Sequence, residues 1–350
     1  MRVLANPQRV IGLMDHIIEK LALNLSGMTV LTESGSGPFV CTPLLAARAG
    51  GNVIAVTRDS RYGTVDEVSA YTREWAERYG VSNRIEVSSE PVISHAHKTD
   101  ILTNLGFLRP ITAEIINALP SHAVIPLMWE AWEFRSEDLD LLACRRRGIP
   151  VVGTCETHPA LRIFDYLGVV TVKLLLEAEI EVFRSKIALI ASDPFGEAIK
   201  ACLTELGADV VRIPPPEPES EWNLPDFEKL DALVLAEHRS YRELIGENGG
   251  IPVAMVKGIG SPVIHICGNI DNQALARAGV KKHPTRQVTP GFMTVTTDYC
   301  GPRPVIDLHA GGLKVGELLA RARKTGMTPL QAEAAVVATG FGSLLPQELA

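Results

Sequence analysis

Met28-Thr-Val-Leu-Thr-Glu-Ser-Gly-Ser-Gly-Pro38 reads as a short apolar strand that runs into a polar glycine turn, and the turn leads to a helical pattern over Leu44–Ala49. A second apolar run, Asn52–Thr57, and a long amphipathic helix over Val65–Tyr79 come next. Strand, tight turn, helix and strand in this order form a βαβ unit, the building block of a parallel sheet. Upstream, Val10, Ile11, Met14, Ile17, Ile18 and Leu21 mark one face of a leading helix. Downstream, strands are predicted at Arg84–Val87, Asp100–Asn104, Ala123–Met128 and Pro150–Gly153, with helices at Thr112–Leu119 and Leu139–Arg147 between them. Strict alternation predicts a doubly wound α/β sheet.

A second series begins with a helix over Leu161–Ala178. It continues with a strand at Lys186–Ala191, a helix at Gly196–Leu206 and a strand at Asp209–Ile213. The acidic, proline-rich stretch Pro214–Glu221 predicts an exposed loop. Further strands are expected at Ala232–Ala236, Pro252–Val256, Val263–Cys267 and Phe292–Thr296, and two closing helices at Lys314–Lys324 and Pro329–Ala338. The chain therefore reads as two doubly wound, Rossmann-like domains: 1–160, and 180–310 reached through a linking helix at 161–179. The C-terminal helices of 314–350 return to the first domain, and the cleft between the two is the expected ligand site.

Composition agrees with this class. The 350 residues are 46% hydrophobic and 21% charged, ample for one or two cores. Aromatics make up only 5%, against 29 Gly and 23 Pro placed mostly at the ends of β-branched runs, where α/β turns fall. A balance of 34 Lys+Arg against 41 Asp+Glu gives −7 with no basic stripe, which argues against nucleic acid or an anionic membrane as partner. A small-molecule substrate is expected instead. Six scattered cysteines without a CxxC pair read as reduced thiols of a cytoplasmic protein. No leader is apparent, and no apolar run approaches the roughly 20 residues of a membrane span. Cys155-x-x-His158 and His95-x-His97 lack further ligands at a supporting spacing, so no metal is expected.

Glu137-Asp-Leu-Asp-Leu-Leu-Ala-Cys-Arg-Arg-Arg-Gly-Ile-Pro-Val-Val-Gly-Thr154, followed by a long helix and Lys186-Ile-Ala-Leu-Ile190, resembles the D-2-hydroxyacid dehydrogenase superfamily over about 100–215 and 305–325. The resemblance implies a dinucleotide loop at Ala191-Ser-Asp-Pro-Phe-Gly196, of whose three glycines only Gly196 remains. Asp193 would set a carboxylate where a pyrophosphate sits, a repulsion of about 1 kcal/mol even in watery surroundings. The position for a ribose-binding acid falls on Pro214, and Trp129–Arg135 replaces the glycine-rich substrate cradle. His309, in Leu308-His-Ala-Gly-Gly312, matches the family's catalytic HxxG histidine.

The tighter glycine loop, Glu33–Pro38, lies in a passage that resembles class I S-adenosylmethionine-dependent methyltransferases over about 28–104, with Val53-Ile-Ala-Val56, Gly80–Val87 and Asp100–Asn104 as the matching runs. It implies Glu33, Gly35 and Gly37 as cofactor residues and Asp59 as ribose acid, although Thr57 holds the expected acid position and Phe39 that of a third glycine. Asp193 and Gly196 are the cofactor candidates of the other loop. S-adenosylmethionine brings no phosphate and tolerates nearby acids, so Glu33 and Asp193 lean the reading towards it and away from NAD or NADP.

Arg58 and Arg61 follow a strand at the sheet's carboxyl edge and can grip a substrate carboxylate, with Asn104 and Arg109 on the same edge. Glu130 lies between Trp129 and Trp132, where a planar substrate could stack. His309 and His158 are the acid/base candidates, the latter beside Glu156. Three functions follow. The first is a methyltransferase, the second an NAD(P)-dependent oxidoreductase, and the third a non-catalytic metabolite- or partner-binding protein; dehydrogenase-like relatives imply a homodimer.

Overall fold

The structure, a computed structural model, describes residues 3–215 and 230–345. It divides into two compact units, Met1–Arg162 with Gly301–Ala350, and Ile163–Cys300. The first unit contains α1 (Pro7–Lys20), β1 (Thr29–Glu33), α2 (Cys41–Arg48), β2 (Asn52–Val56), α3 (Val65–Tyr79), β3 (Ile85–Ser88), α4 (Val92–Ala96), β4 (Ile101–Leu102), α5 (Ala113–Ala118), β5 (Ile125–Pro126), α6 (Leu141–Arg147) and β6 (Val151–Thr154). Local signals set the boundaries. Thr64 and Glu67 form a capping box at the start of α3, and Gly80 ends it in the left-handed region. Asp140 caps α6 through the N–H of Ala143, and Gly148 closes it.

The second unit contains α7 (Asp165–Glu177), β7 (Lys186–Ile190), α8 (Phe195–Glu205), β8 (Asp209–Ile213), β9 (Ala232–Ala236), β10 (Glu243–Ile245), α9 (Val253–Ile259), β11 (Val263–Cys267), β12 (Asn269–Ile270), α10 (Asn272–Ala278) and β13 (Lys282–His283). The chain then completes the first unit with α11 (Arg303–Lys324), α12 (Pro329–Ala338) and β14 (Gly342–Ser343). Both units are doubly wound α/β sheets.

Their strand orders differ. In the first unit β3, β2, β1 and β4 lie side by side and parallel, a parallel bridge between Ile101 and Val124 continues the sheet to β5 and β6, and β14 adds an antiparallel edge. This is the 3-2-1-4-5-6 order of dinucleotide-binding domains. In the second unit the order β13-β11-β9-β7-β8 is, counted along that unit, 2-1-3-4-5, the order of flavodoxin-like folds. Each sheet has its own buried core: Leu31, Ile54, Val56, Leu102, Leu108 and Ile125 are central to one, and Ile187, Leu189, Val234, Ile264 and Leu174 to the other.

Three expectations need correction. Pro252–Val256 is helical, because Pro252 enters and Gly260, in the left-handed region, terminates a short apolar run that periodicity alone does not resolve. Phe292–Thr296 forms no strand: Thr294 alone is tied to the end of β11, through its N–H to the carbonyl of Ile266 (2.7 Å). The penultimate helix starts at Arg303, eleven residues before the expected start at Lys314, and includes Gly311 and Gly312. A β-carbon at Gly311 would lie 2.6 Å from Leu161, and one at Gly312 2.6 Å from Met128, so these glycines let α11 lie close to its neighbours. Most of the expected loop at Pro214–Glu221 lies outside the described residues. No described helix is long and apolar enough to cross a membrane.

Candidate functional site

The two glycine loops occupy equivalent places, each following the first strand of its sheet and opening a helix. Open sheets bind ligands beyond the carboxyl ends of their strands, where the strand order reverses. The loops differ in what their amides do.

In the second unit the Ala191–Gly196 loop is filled by the protein's own carboxylates. Asp193 Oδ1 accepts from the N–H of Glu197 (3.1 Å) and so caps α8. The same oxygen pairs with Arg212 (2.7 Å), whose guanidinium also donates to the carbonyl of Ala191. Glu237, just after β9, accepts from the N–H groups of Ser192 (2.7 Å), Arg239 (2.7 Å) and Ser240 (3.0 Å). Phe195 stacks on His238 with ring centroids 4.0 Å apart, and a β-carbon at Gly196 would strike the Arg212 guanidinium at 2.5 Å. A pyrophosphate needs bare amides at a helix N-terminus. It does not fit here, because Asp193 and Glu237 already use them.

In the first unit the loop's amides are unpaired. Among the described residues no hydrogen bond uses the N–H of Gly35, Ser36 or Gly37. Gly37 has φ 58°, and a β-carbon at Gly35 would lie 2.6 Å from the Phe39 β-carbon, so both positions require glycine. Ser34 is buried and its hydroxyl bonds to Thr72 (2.6 Å). One strand over, Thr57 is 1% exposed and its hydroxyl has no hydrogen-bond partner. Val56 belongs to the core on one face of the sheet, so strand alternation places Thr57 on the opposite face. There the turn after Ser36, α2 and α3 pack together.

Glu33 has turned away from the loop. Its carboxylate accepts from the N–H of Phe107 (3.2 Å). Burial raises its pKa, while that amide, Arg109, the Gly106 amide and Arg58 partly offset the rise. The Glu33 carboxyl is thus buried and committed to the Phe107 amide, not to the amides of the glycine turn. Asp59 is exposed, and its Oδ1 accepts from the N–H of Val65 (2.7 Å) at the start of α3. Arg58 is exposed, lies over the Phe107 ring at 5.5 Å and forms no ion pair among the described residues. Arg61 is also exposed and donates to the Tyr62 hydroxyl (2.6 Å).

His309 joins this loop by an unexpected route. It is 4% exposed, its Nδ1 shares a hydrogen bond with the Thr42 hydroxyl at the start of α2 (2.5 Å), and its ring lies 5.8 Å from that of Phe39. Burial lowers its pKa to about 4, so it is neutral at pH 7 and positions the glycine turn rather than carrying a charge. His158 lies elsewhere, stacked on Phe341 (3.9 Å), with a pKa lowered by burial and by Lys20.

The remaining candidates hold the unit together. Asn104 accepts from the N–H of Met128 (2.8 Å) and ties the β4 and β5 loops. Arg109 pairs with Asp138 (2.6 Å) and lies over Trp129 at 5.1 Å, so it is a brace rather than a free substrate cation. Glu130 accepts from the N–H of Glu156 (2.8 Å), and Trp132 is 41% exposed. Glu156 is buried, and burial together with its neighbours Glu133 and Glu130 raises its carboxyl well above the usual carboxylate range. Sequence reasoning missed Arg212, Glu133 and Glu237. Glu237 directly follows an apolar strand, which is the one local signal it offers.

No family model matches the chain, and no curated protein is similar to it. Solved structures are similar in fold. Dipicolinate synthase from Bacillus subtilis is 12% identical with TM-score 0.54, covering 87% of this chain and 99% of that one. Its counterpart from Bacillus halodurans, also a dipicolinate synthase, is 11% identical with TM-score 0.51, covering 86% and 99%. A 2-hydroxyacid dehydrogenase from Ketogulonicigenium vulgare is 13% identical with TM-score 0.46, covering 87% and 98%. The chain shares the fold of the two dipicolinate synthase structures and is built from two doubly wound, Rossmann-like α/β units.

Proposed function

We propose that the protein is a cofactor-dependent enzyme acting on a small molecule, and that its chemistry is oxidoreduction with a nicotinamide dinucleotide held by the first unit. The observation that carries this reading is the set of unpaired amides in the glycine turn at Gly35–Gly37, at the centre of a sheet with the 3-2-1-4-5-6 order. Its unpaired amides suit a pyrophosphate, and the unpartnered Thr57 hydroxyl offers one more polar contact. The dinucleotide would supply or accept a hydride. The N–H groups of Gly35, Ser36 and Gly37 would bind it, while Thr42 and His309 would hold the turn in shape. The shared dehydrogenase-like architecture supports this reading over methyl transfer.

Calorimetry on the full chain with NADP, NAD, S-adenosylmethionine and S-adenosylhomocysteine tests it. Micromolar binding of a dinucleotide, and none of the adenosyl-sulfur compounds, is the expected result. Binding of S-adenosylhomocysteine alone would reassign the loop to methyl transfer, and binding of none would favour a non-catalytic role.

A further inference from the structure

The segment after β2 is built as a cationic corner. Thr57 stands where an acidic residue would clasp both ribose hydroxyls of NAD, and its hydroxyl is neutral. The next acid, Asp59, is exposed and has one carboxylate oxygen on the N–H of Val65 (2.7 Å). Ser60 and Gly63 exchange backbone hydrogen bonds (3.0 and 3.2 Å), so the turn that presents Arg58 and Arg61 is tightly closed. Arg58 is exposed, with Phe107 under its guanidinium and no carboxylate paired to it among the described residues. The facing charges are Glu33, engaged by the Phe107 N–H, and Arg109, paired with Asp138. An uncommitted cation is thus left at the end of the strand next to the glycine turn.

We propose that Arg58 binds a phosphate monoester on the ribose 2′ position, so that the first unit takes NADP rather than NAD; this rests on that unit holding the dinucleotide. A dianionic phosphate gives Arg58 a bidentate partner that a bare ribose cannot supply. Arg61, three residues on, adds a second positive charge to the same corner.

Calorimetry on the full chain, with NADP, NAD, adenosine 2′,5′-bisphosphate and 5′-AMP as probes, tests it. The wild type is expected to bind each 2′-phosphorylated probe about ten- to a hundredfold tighter than its counterpart, the range of a charge-assisted contact. Arg58→Gln is expected to erase that difference with melting temperature unchanged, and Arg58→Lys to keep part of it. Raising salt should weaken NADP more than NAD. Equal affinity of the wild type for NADP and NAD would overturn this proposal while leaving the dinucleotide reading standing, as would a preference that survives in Arg58→Gln. Failure of both dinucleotides to bind would overturn both.

Discussion

Gly35→Ala is expected to weaken dinucleotide binding by about a hundredfold or more, whereas Gly196→Ala in the second unit is expected to leave it unchanged. The β-carbon added at Gly35 would lie 2.6 Å from the Phe39 β-carbon and 3.4 Å from its carbonyl carbon. Neither is the free end of a flexible side chain, so the turn itself must open. Charge-assisted bonds to a phosphate contribute roughly 1.5–3 kcal/mol each, and losing alignment of two of them accounts for the predicted drop. Overpacking also costs about 1–3 kcal/mol of stability, so melting temperature and binding are measured together. Phe39→Gly in the same chain removes the obstructing β-carbon and should restore part of both. At Gly196 the obstructing group is the end of Arg212, which can move away. A Gly196→Ala chain that loses NADP while Gly35→Ala keeps it would return the cofactor to the second unit.

What the sequence made legible was local. The βαβ alternation, the capping residues Thr64 and Asp140, and the apolar strands at Ala232–Ala236 and Val263–Cys267 are carried by neighbouring residues, and they appear where the pattern puts them. Strand order is not local. The resemblance around Ala191–Gly196 pointed to the second unit as the dinucleotide domain, but the 3-2-1-4-5-6 sheet belongs to the first, and only pairing across the chain reveals it. The site was half legible for the same reason. Gly35, Gly37 and Arg58 stand out as residue types in a turn after a strand. That Asp193 would meet Arg212, and that Glu237 would close the rival loop, depends on contacts between residues 19 and 45 positions apart. His309 was matched to a catalytic motif, yet the helix that carries it buries it against Thr42, 267 residues away.

Glu133→Gln is expected to stabilise the protein above pH 7, and much less near pH 5. Glu133, in the turn after β5, and Glu156, after β6, share a hydrogen bond between their carboxyls, beside Glu130 and Arg135. Burial is the largest influence on each carboxyl, and it raises Glu133 from 4.5 to about 7. Between those values the folded protein holds a proton that the unfolded chain has released. Stability is therefore fully present below about pH 4.5 and falls as pH rises through 7, by up to about 3 kcal/mol for this carboxyl. An amide at position 133 carries no charge and can donate to an oxygen of the Glu156 carboxyl, so it removes most of that loss. At pH 8 the variant should melt about 4 to 8 °C higher than wild type, for a gain of about 2 kcal/mol. The raw slope with pH is not the readout. His238, His265 and His309, each lowered to about 4 by burial, add stability as pH rises towards 6.5 and oppose the carboxyls. Asp307, raised to about 6, acts in the same direction as Glu133. The difference between variant and wild type at pH 5 and pH 8 cancels these groups, and an equal melting temperature for the two chains at pH 8 would mean that the Glu133–Glu156 pair ionises without cost.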